Sequence, residues 1–274
     1  MSTWICTICG HQHADTATPP AACSICTDPR QWVRWEGQTW TTLAEMAAQG
    51  HAIEIRDAEP DLIGLAITPA RFIGQRALVV KTPAGNVMWD NFGFIDDAAI
   101  EAVAAIGGLT AITVSHPHFY GAMVEWAHAF GATIHLPSAD REWVMRPDPS
   151  IEFYEDSVEP VPGVRLIRCG GHFPGSAVLH WPAGAAGKGV LLTGDTYTVV
   201  RDRGWISVMW SYPNLIPLDT ATVRRVGAAI AGLEFDRLYG GWWDSIIGHD
   251  AKNAVARSID RLAVMTSGSH DLQT

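Results

Sequence analysis

Basic charge is scarce in this chain: 19 Lys and Arg stand against 29 Asp and Glu, a formal net charge of -10 at pH 7, with no Lys or Arg run. A phosphate backbone is bound through a basic face, so nucleic acid is excluded as a partner. Long apolar runs are missing as well; each is broken by Gly, Pro or charge, so no segment is expected to span a bilayer. Met1-Ser2-Thr3-Trp4 has no basic stretch leading into an apolar one, so no secretion signal is expected and the protein is read as cytoplasmic. There is no internal repeat and no low-complexity tract. What remains is an ordinary globular composition, 47% hydrophobic and 18% charged over 274 residues, enough for one large core and a small appendage.

Cysteine is unevenly placed. Four of the five fall in the first 26 residues, as Cys6-x-x-Cys9 and Cys23-x-x-Cys26. In a reducing compartment two such pairs read as a tetrahedral metal site, not two disulfides. A segment this short cannot fold on apolar burial alone, so the metal supplies most of its stability. Residues 1–37 are therefore a four-cysteine metal knuckle, with Trp4, Trp32 and Trp35 available to pack around it. Residues 38–50 read as a connector, and 51–274 as the main domain.

From His51 the pattern alternates between strands and helices. Strands are expected at 52–56, 62–67, 77–82, 86–89, 110–114, 132–136, 164–169, 176–181, 189–193 and 235–239. Helices are expected at 96–106, 121–130, 219–233 and after Asp250. Three motifs follow strands: His116-Pro117-His118, Gly170-Gly171-His172-Phe173-Pro174-Gly175-Ser176 and Thr193-Gly194-Asp195-Thr196. Asp90 follows 86–89 in the same manner. Loops leaving one edge of a sheet converge, so the four point to a single pocket. In an extended segment residues i and i+2 share a face, which lets His116 and His118 present two imidazoles to one point. Adding His172 and Asp195 gives three nitrogens and a carboxylate, a ligand set suited to zinc or non-haem iron. Asp195 is either the fourth ligand or a base on metal-bound water. Cys169 lies on an expected buried strand and reads as a structural thiol. The other eight histidines, from His11 and His13 to His270, carry no spacing signal.

These residues, in this order, resemble the metallo-β-lactamase superfamily over 51–274. His116 and His118 open its HxHxDH motif, His172 with Pro174, Gly175 and Ser176 matches GHxPGS, Asp195 matches GD, and Asp90 takes the place of the first aspartate. The resemblance implies an α+β protein, an αββα four-layer sandwich with the metal site at one edge between the sheets. The first 37 residues are similar to a rubredoxin-type knuckle.

Three positions depart from the pattern. Tyr120 and Gly121 stand where the motif has Asp and His, and Trp242 stands near its final His. Those are the second-metal ligands of two-metal relatives, so a single ion is expected. Tyr120 then either donates to a developing oxyanion or fills the emptied metal position. Asp90 is expected to accept a hydrogen bond from a ligand histidine and fix its tautomer. Trp210, Tyr212, Trp242 and Trp243 could wall the site.

The leading expectation is a hydrolase: zinc lowers the pKa of bound water to about 7, and the hydroxide attacks a small ester, lactone, thioester or amide. His116, His172 and Asp195 also form the two-His-one-carboxylate set that suits Fe(II). The persulfide-dioxygenase branch is similar in using such a set, and an iron-loaded knuckle could pass single electrons. Zinc or iron thus stays open at both sites, as does a member that binds without turnover.

Overall fold

The computed structural model of the protein describes residues 1–268. Two sheets carry the main body. The first has seven strands in chain order: Ala52–Glu59, Leu62–Thr68, Arg76–Val80, Val87–Trp89, Ala111–Thr113, Thr133–Pro137 and Ile151–Tyr154. Its first three pairings are antiparallel and its last three parallel. The second has six strands, Ser157–Val161, Val164–Arg168, Ala177–Trp181, Val190–Gly194, Arg237–Gly240 and Ile246–Ile247. All its pairings are antiparallel except that between Val190–Gly194 and Arg237–Gly240.

Strand alternation sorts the core into three layers. Leu62, Leu78 and Val80 of the first sheet pack against Leu166, Leu179 and Leu192 of the second. Their neighbours Ile63, Leu65 and Val79 turn outward, under the helices Asp97–Ala105 and Met123–Phe130. On the far side Val178, Leu191 and Leu238 meet the helices Thr220–Ile230 and Ala251–Thr266. This is the expected αββα sandwich. Among the described residues no helix is long and apolar enough to cross a membrane.

The short strand Ile5–Cys6 pairs with Trp40–Thr41, and the helix Ser24–Thr27 carries Cys26. Expectation and structure differ over which tryptophans pack here. Trp35 is fully exposed and Trp32 45% exposed. Val33, Trp40 and Trp143 pack against the cysteines instead. Trp143 comes from the main body, so part of the apolar cover of this small segment is supplied from outside it.

That docking is specific. The Gln12 N–H donates to the Gly121 carbonyl (3.2 Å) and the Ala14 N–H to that of Met145 (3.1 Å). Ser211 Oγ donates to the Arg30 carbonyl (2.9 Å), and Asn214 Nδ2 to those of Pro29 (3.0 Å) and Gln31 (3.2 Å).

Candidate metal centres

Each residue of the main site leaves the end of a strand. His116 follows Ala111–Thr113, His172 follows Val164–Arg168, and Asp195 follows Val190–Gly194. His116 is extended (φ −172°, ψ 170°), but Pro117–Phe119 is a 3₁₀ turn. The two imidazoles of the HxH pair are therefore not on one face of a strand, as the spacing had suggested. Proline's fixed φ suits the first position of a helical turn as well as an extended one, and the turn carries His118 round towards His116. Their rings stand 5.0 Å apart at 81°.

His116, His118, His172 and Asp195 each offer one donor atom, all within 4.8 Å of one another, and all four residues are buried. His118 Nδ1 lies 3.2 Å from His172 Nε2, and His116 Nε2 lies 4.0 Å from Asp195 Oδ2. The tautomers follow from the outer ring nitrogens. His172 Nδ1–H donates to the Trp210 carbonyl (2.8 Å), leaving Nε2 with its lone pair. His116 Nδ1 lies 2.9 Å from Ser115 Oγ, and its Nε2 is buried without a hydrogen-bond partner. A buried ring nitrogen left unpartnered among three other donors is the arrangement a cation satisfies.

The electrostatics fit the same reading. Burial holds His116 and His118 well below the usual imidazole range, with the neighbouring site histidines adding to it. His172 is lowered to about 4, again mainly by burial. All three are thus neutral near pH 7 and able to ligate. Burial raises the Asp195 carboxyl to about 7, against the pull of its hydrogen bond from Thr198 Oγ1 (3.0 Å).

Asp90 does not bond to a ligand histidine. The strands 87–89 and 111–113 run parallel with Trp89 opposite Thr113, which brings Asp90 level with Val114 and within reach of the Ser115 N–H. Asp90 Oδ1 accepts from the Ser115 N–H (2.7 Å), and Ser115 in turn touches His116. Asp90 adopts φ 61° to do so. A Cβ on Gly194 would lie 2.6 Å from Ser115 Cβ and 2.7 Å from Asp90 Oδ2, so the glycine before Asp195 is what lets these loops close on one another.

The ground of a second metal is differently used. Gly121 has φ 50°, and a Cβ there would fall 2.6 Å from the Phe92 Cα. Its carbonyl receives Gln12 of the cysteine segment. Phe119 stands 4.8 Å from His116 and 5.8 Å from Trp242, ring to ring. Tyr120 is buried against His11 (5.7 Å), and its hydroxyl has no partner. Burial, with Asp140 and Tyr154 nearby, holds that phenol well above its usual range, so it stays protonated. Of the four aromatics expected to wall the site, Tyr212 does so: its ring is 5.4 Å from His172, and its hydroxyl donates to the Asp195 carbonyl (2.7 Å). Trp210 contributes its carbonyl. Trp243 lies elsewhere, stacked between Arg56 (4.5 Å) and Arg76 (5.3 Å).

The second centre is the cysteine cluster. Cys6, Cys9, Cys23 and Cys26 are all free and buried. Sγ–Sγ separations are 3.5 Å for Cys6–Cys26 and 3.8 Å for Cys9–Cys23. A tetrahedron with metal–sulfur bonds of about 2.3 Å has edges of about 3.8 Å, so the cage fits one ion. Gln38 Nε2 donates to Cys6 Sγ (3.0 Å), and hydrogen bonds from Cys26, Cys6 and Cys9 lower the Cys23 thiol strongly, with His13 adding to them. Among the described residues these are the two places where three or more such donors converge.

Ser115, Trp143 and the pair His11–His13 were not singled out by the sequence. Ser115 had a readable signal, since it immediately precedes the HxH pair. The carbonyl of Trp210 had none, because every residue carries one. His270 lies outside the described residues.

No family model matches the chain. The Bacillus subtilis (strain 168) protein described as "Uncharacterized protein YmaE" is 44% identical over 263 residues, 95% of this chain and 96% of that one. Among solved structures, the DIM-1 metallo-β-lactamase exposed to ceftazidime superposes with a TM-score of 0.59 at 13% identity, covering 78% of this chain and 98% of that one. VMB-1 gives 0.57 at 14% identity, covering 78% and 97%. A B3 metallo-β-lactamase with an active-site glutamic acid gives 0.53 at 16% identity, covering 89% and 98%. The chain belongs to the family of the Bacillus subtilis YmaE protein, and its body is a metallo-β-lactamase fold bearing a His/Asp metal-binding group, with a four-cysteine group near the N-terminus.

Proposed function

We propose that this protein is a metal-dependent hydrolase of small molecules, working with a single ion held by His116, His118, His172 and Asp195. One observation carries the reading: four buried donors converge within 4.8 Å, with the imidazoles held neutral. A divalent zinc ion held by these four residues would supply Lewis acidity there. The chain's own residues supply the rest. The Trp210 carbonyl holds His172 in the ligating tautomer, and Ser115 Oγ orients the His116 ring. Asp195, raised to about 7 by burial, gives up its proton near neutrality to become the fourth ligand. Its Oδ1 is fixed by Thr198, which leaves Oδ2 towards His116.

The group is deeply set: His116, His118, His172 and Asp195 are between 1% and 6% exposed. That favours a compact substrate, an ester, lactone, thioester or amide without bulky extensions. Phe119 and Trp242 in the ground of a second metal support the single ion. Tyr120, turned towards His11, acts as packing in this reading rather than as a donor to substrate.

A second reading, iron-dependent oxidation of a thiol or persulfide, is favoured by the nearness of the cysteine cluster, whose neighbour Trp143 stands 5.4 Å from Phe173 beside the histidines. The test is elemental analysis of protein purified without added metal, followed by assays of zinc- and iron-loaded forms. Two zinc ions per chain, with ester or lactone turnover that fails in Asp195→Asn, bear out the hydrolase. Three ions per chain defeat the mononuclear site. Oxygen uptake with a thiol, by the iron form alone, favours the second reading.

A further inference from the structure

The two candidate centres are joined by continuously packed side chains, all of them buried except the half-buried Trp143. Trp143 packs against the cysteine cluster and lies 5.4 Å, ring to ring, from Phe173. Phe173 in turn lies 4.9 Å from His118 and 5.1 Å from His172. A second line runs beside it. The His13 and His11 rings are 5.6 Å apart, and His11 meets Tyr120, two residues beyond His118, at 5.7 Å. His11 and His118 are each 2% exposed, and Phe173 and Tyr120 are fully buried. Neither ring nitrogen of His11 has a partner, and nor does His118 Nε2, the nitrogen opposite the one that faces the metal group. One formal charge stands in this wall: the Arg30 guanidinium lies over Phe173 at 4.4 Å and Trp210 at 5.3 Å.

Charges in such a setting act on one another far more strongly than across water, and salt screens them little.

We propose that the cysteine cluster and the His/Asp group are a single electrostatically coupled pair of centres, joined through the packed Trp143–Phe173 wall and the His13–His11 pair. The charge held among the thiolates sets how firmly the His118 group holds its ion. By linkage, an ion at the histidines must alter the cysteine centre to the same extent. The proposal rests on reading both groups as metal sites, and it holds for either chemistry proposed above.

The reciprocal effect is the measurable one. Iron is placed in the cysteine cluster, with the His/Asp group either empty or loaded with redox-silent zinc. The reduction midpoint is followed by the visible thiolate–iron absorption. A divalent cation next door favours the added electron, so zinc should shift the equilibrium towards the ferrous form about tenfold, which is about 59 mV for a one-electron couple. A shift below threefold overturns the coupling. Trp143→Ala, which admits water to the wall, should bring the shift below threefold, while Trp143→Phe should keep it. An undiminished shift in Trp143→Ala overturns the part given to the wall, and the Trp143→Phe and parent proteins still decide the coupling if that variant does not fold. Where the cysteines refuse iron, Co(II) affinity at the cluster replaces the midpoint; zinc at the histidines should weaken it, with the same threefold limit. Elemental analysis separates the two levels of failure. Histidines that take up no zinc overturn the site reading and the coupling together, whereas two loaded centres without a shift overturn the coupling alone.

Discussion

Replacing Gly121 by Ala tests why the ground of a second metal ion cannot simply be refurnished. Two costs add at this position. With φ 50° the residue sits in the left-handed region, where a side chain costs roughly 1–2 kcal/mol. The new Cβ would also meet the Phe92 backbone, 2.6 Å from its Cα, and backbone cannot swing aside as a flexible side chain can. Forcing such a contact in a packed region costs about 1–3 kcal/mol more. The expected loss is therefore about 2–5 kcal/mol. Gly131→Ala is the internal control, because Gly131 has φ 65° but nothing within 4 Å of its would-be Cβ. It should lose only the conformational share, roughly 1–2 kcal/mol. The assay is urea denaturation of the zinc-loaded proteins side by side, comparing midpoints at equal slope. If Gly121→Ala is no less stable than Gly131→Ala, the Phe92 backbone is not the obstacle. By the same reasoning Tyr120→Asp combined with Gly121→His should destabilise the protein without gaining a second ion, because position 121 does not accept a side chain.

Metal binding at the His/Asp group should release protons in a pH-dependent manner, measured by titration calorimetry in buffers of different ionisation enthalpy. Burial raises Asp195 to about 7, so the metal-free native state holds a proton there that an unfolded carboxyl gives up near pH 4. On its own this group therefore destabilises the metal-free fold as pH rises from about 4 to 7, and it favours metal uptake as pH rises through 7. His172, lowered to about 4, does not compete in that range. About 0.9 proton should be released from Asp195 at pH 6 and about 0.1 at pH 8, and a pH-independent value would refute the raised carboxyl. Ser115→Ala should weaken zinc binding about 10- to 100-fold in a chelator competition, since His116 loses the partner of its Nδ1; affinity within threefold of the parent would show that Ser115 does not orient the ring. Stripping the cysteine cluster with a chelator should speed hydrogen exchange over residues 1–41 while both large sheets stay protected, and uniform loss of protection would contradict this division of stability.

The sheets were legible because their strands are short apolar runs closed by Gly, Pro or charge, and the expected strands between 52 and 193 fall within three residues of those observed. Two longer ones escaped. Ser157–Val161 carries Pro160 and two exposed residues, tolerable only because it is the edge of its sheet. Ile151–Tyr154 pairs with one neighbour alone, at the edge of the other. The two- and three-residue strands between 198 and 217 hold too few side chains to show a period. At the site, residue types and spacing picked out four donors that do converge, but not the path by which they converge. Pro117 fits an extended segment and a 3₁₀ turn alike, and tertiary packing chose the turn. Asp90 was read as a partner for a histidine, whereas strand register gave it to the backbone of Ser115. Trp32 and Trp35 could not be told from Trp143 as cover for the cysteines, since proximity in the chain says nothing of which ring the fold brings back.

The His172 ring is oriented by the carbonyl of Trp210, not by its side chain, and the same loop grips the N-terminal segment through carbonyls at Pro29, Arg30 and Gln31. Residue 210 could therefore be exchanged for many others while the imidazole kept its alignment. The identity of side chain 210 and the precision of ligation are thereby uncoupled along one stretch of chain. Saturation mutagenesis of that single codon should leave metal retention at the histidines intact.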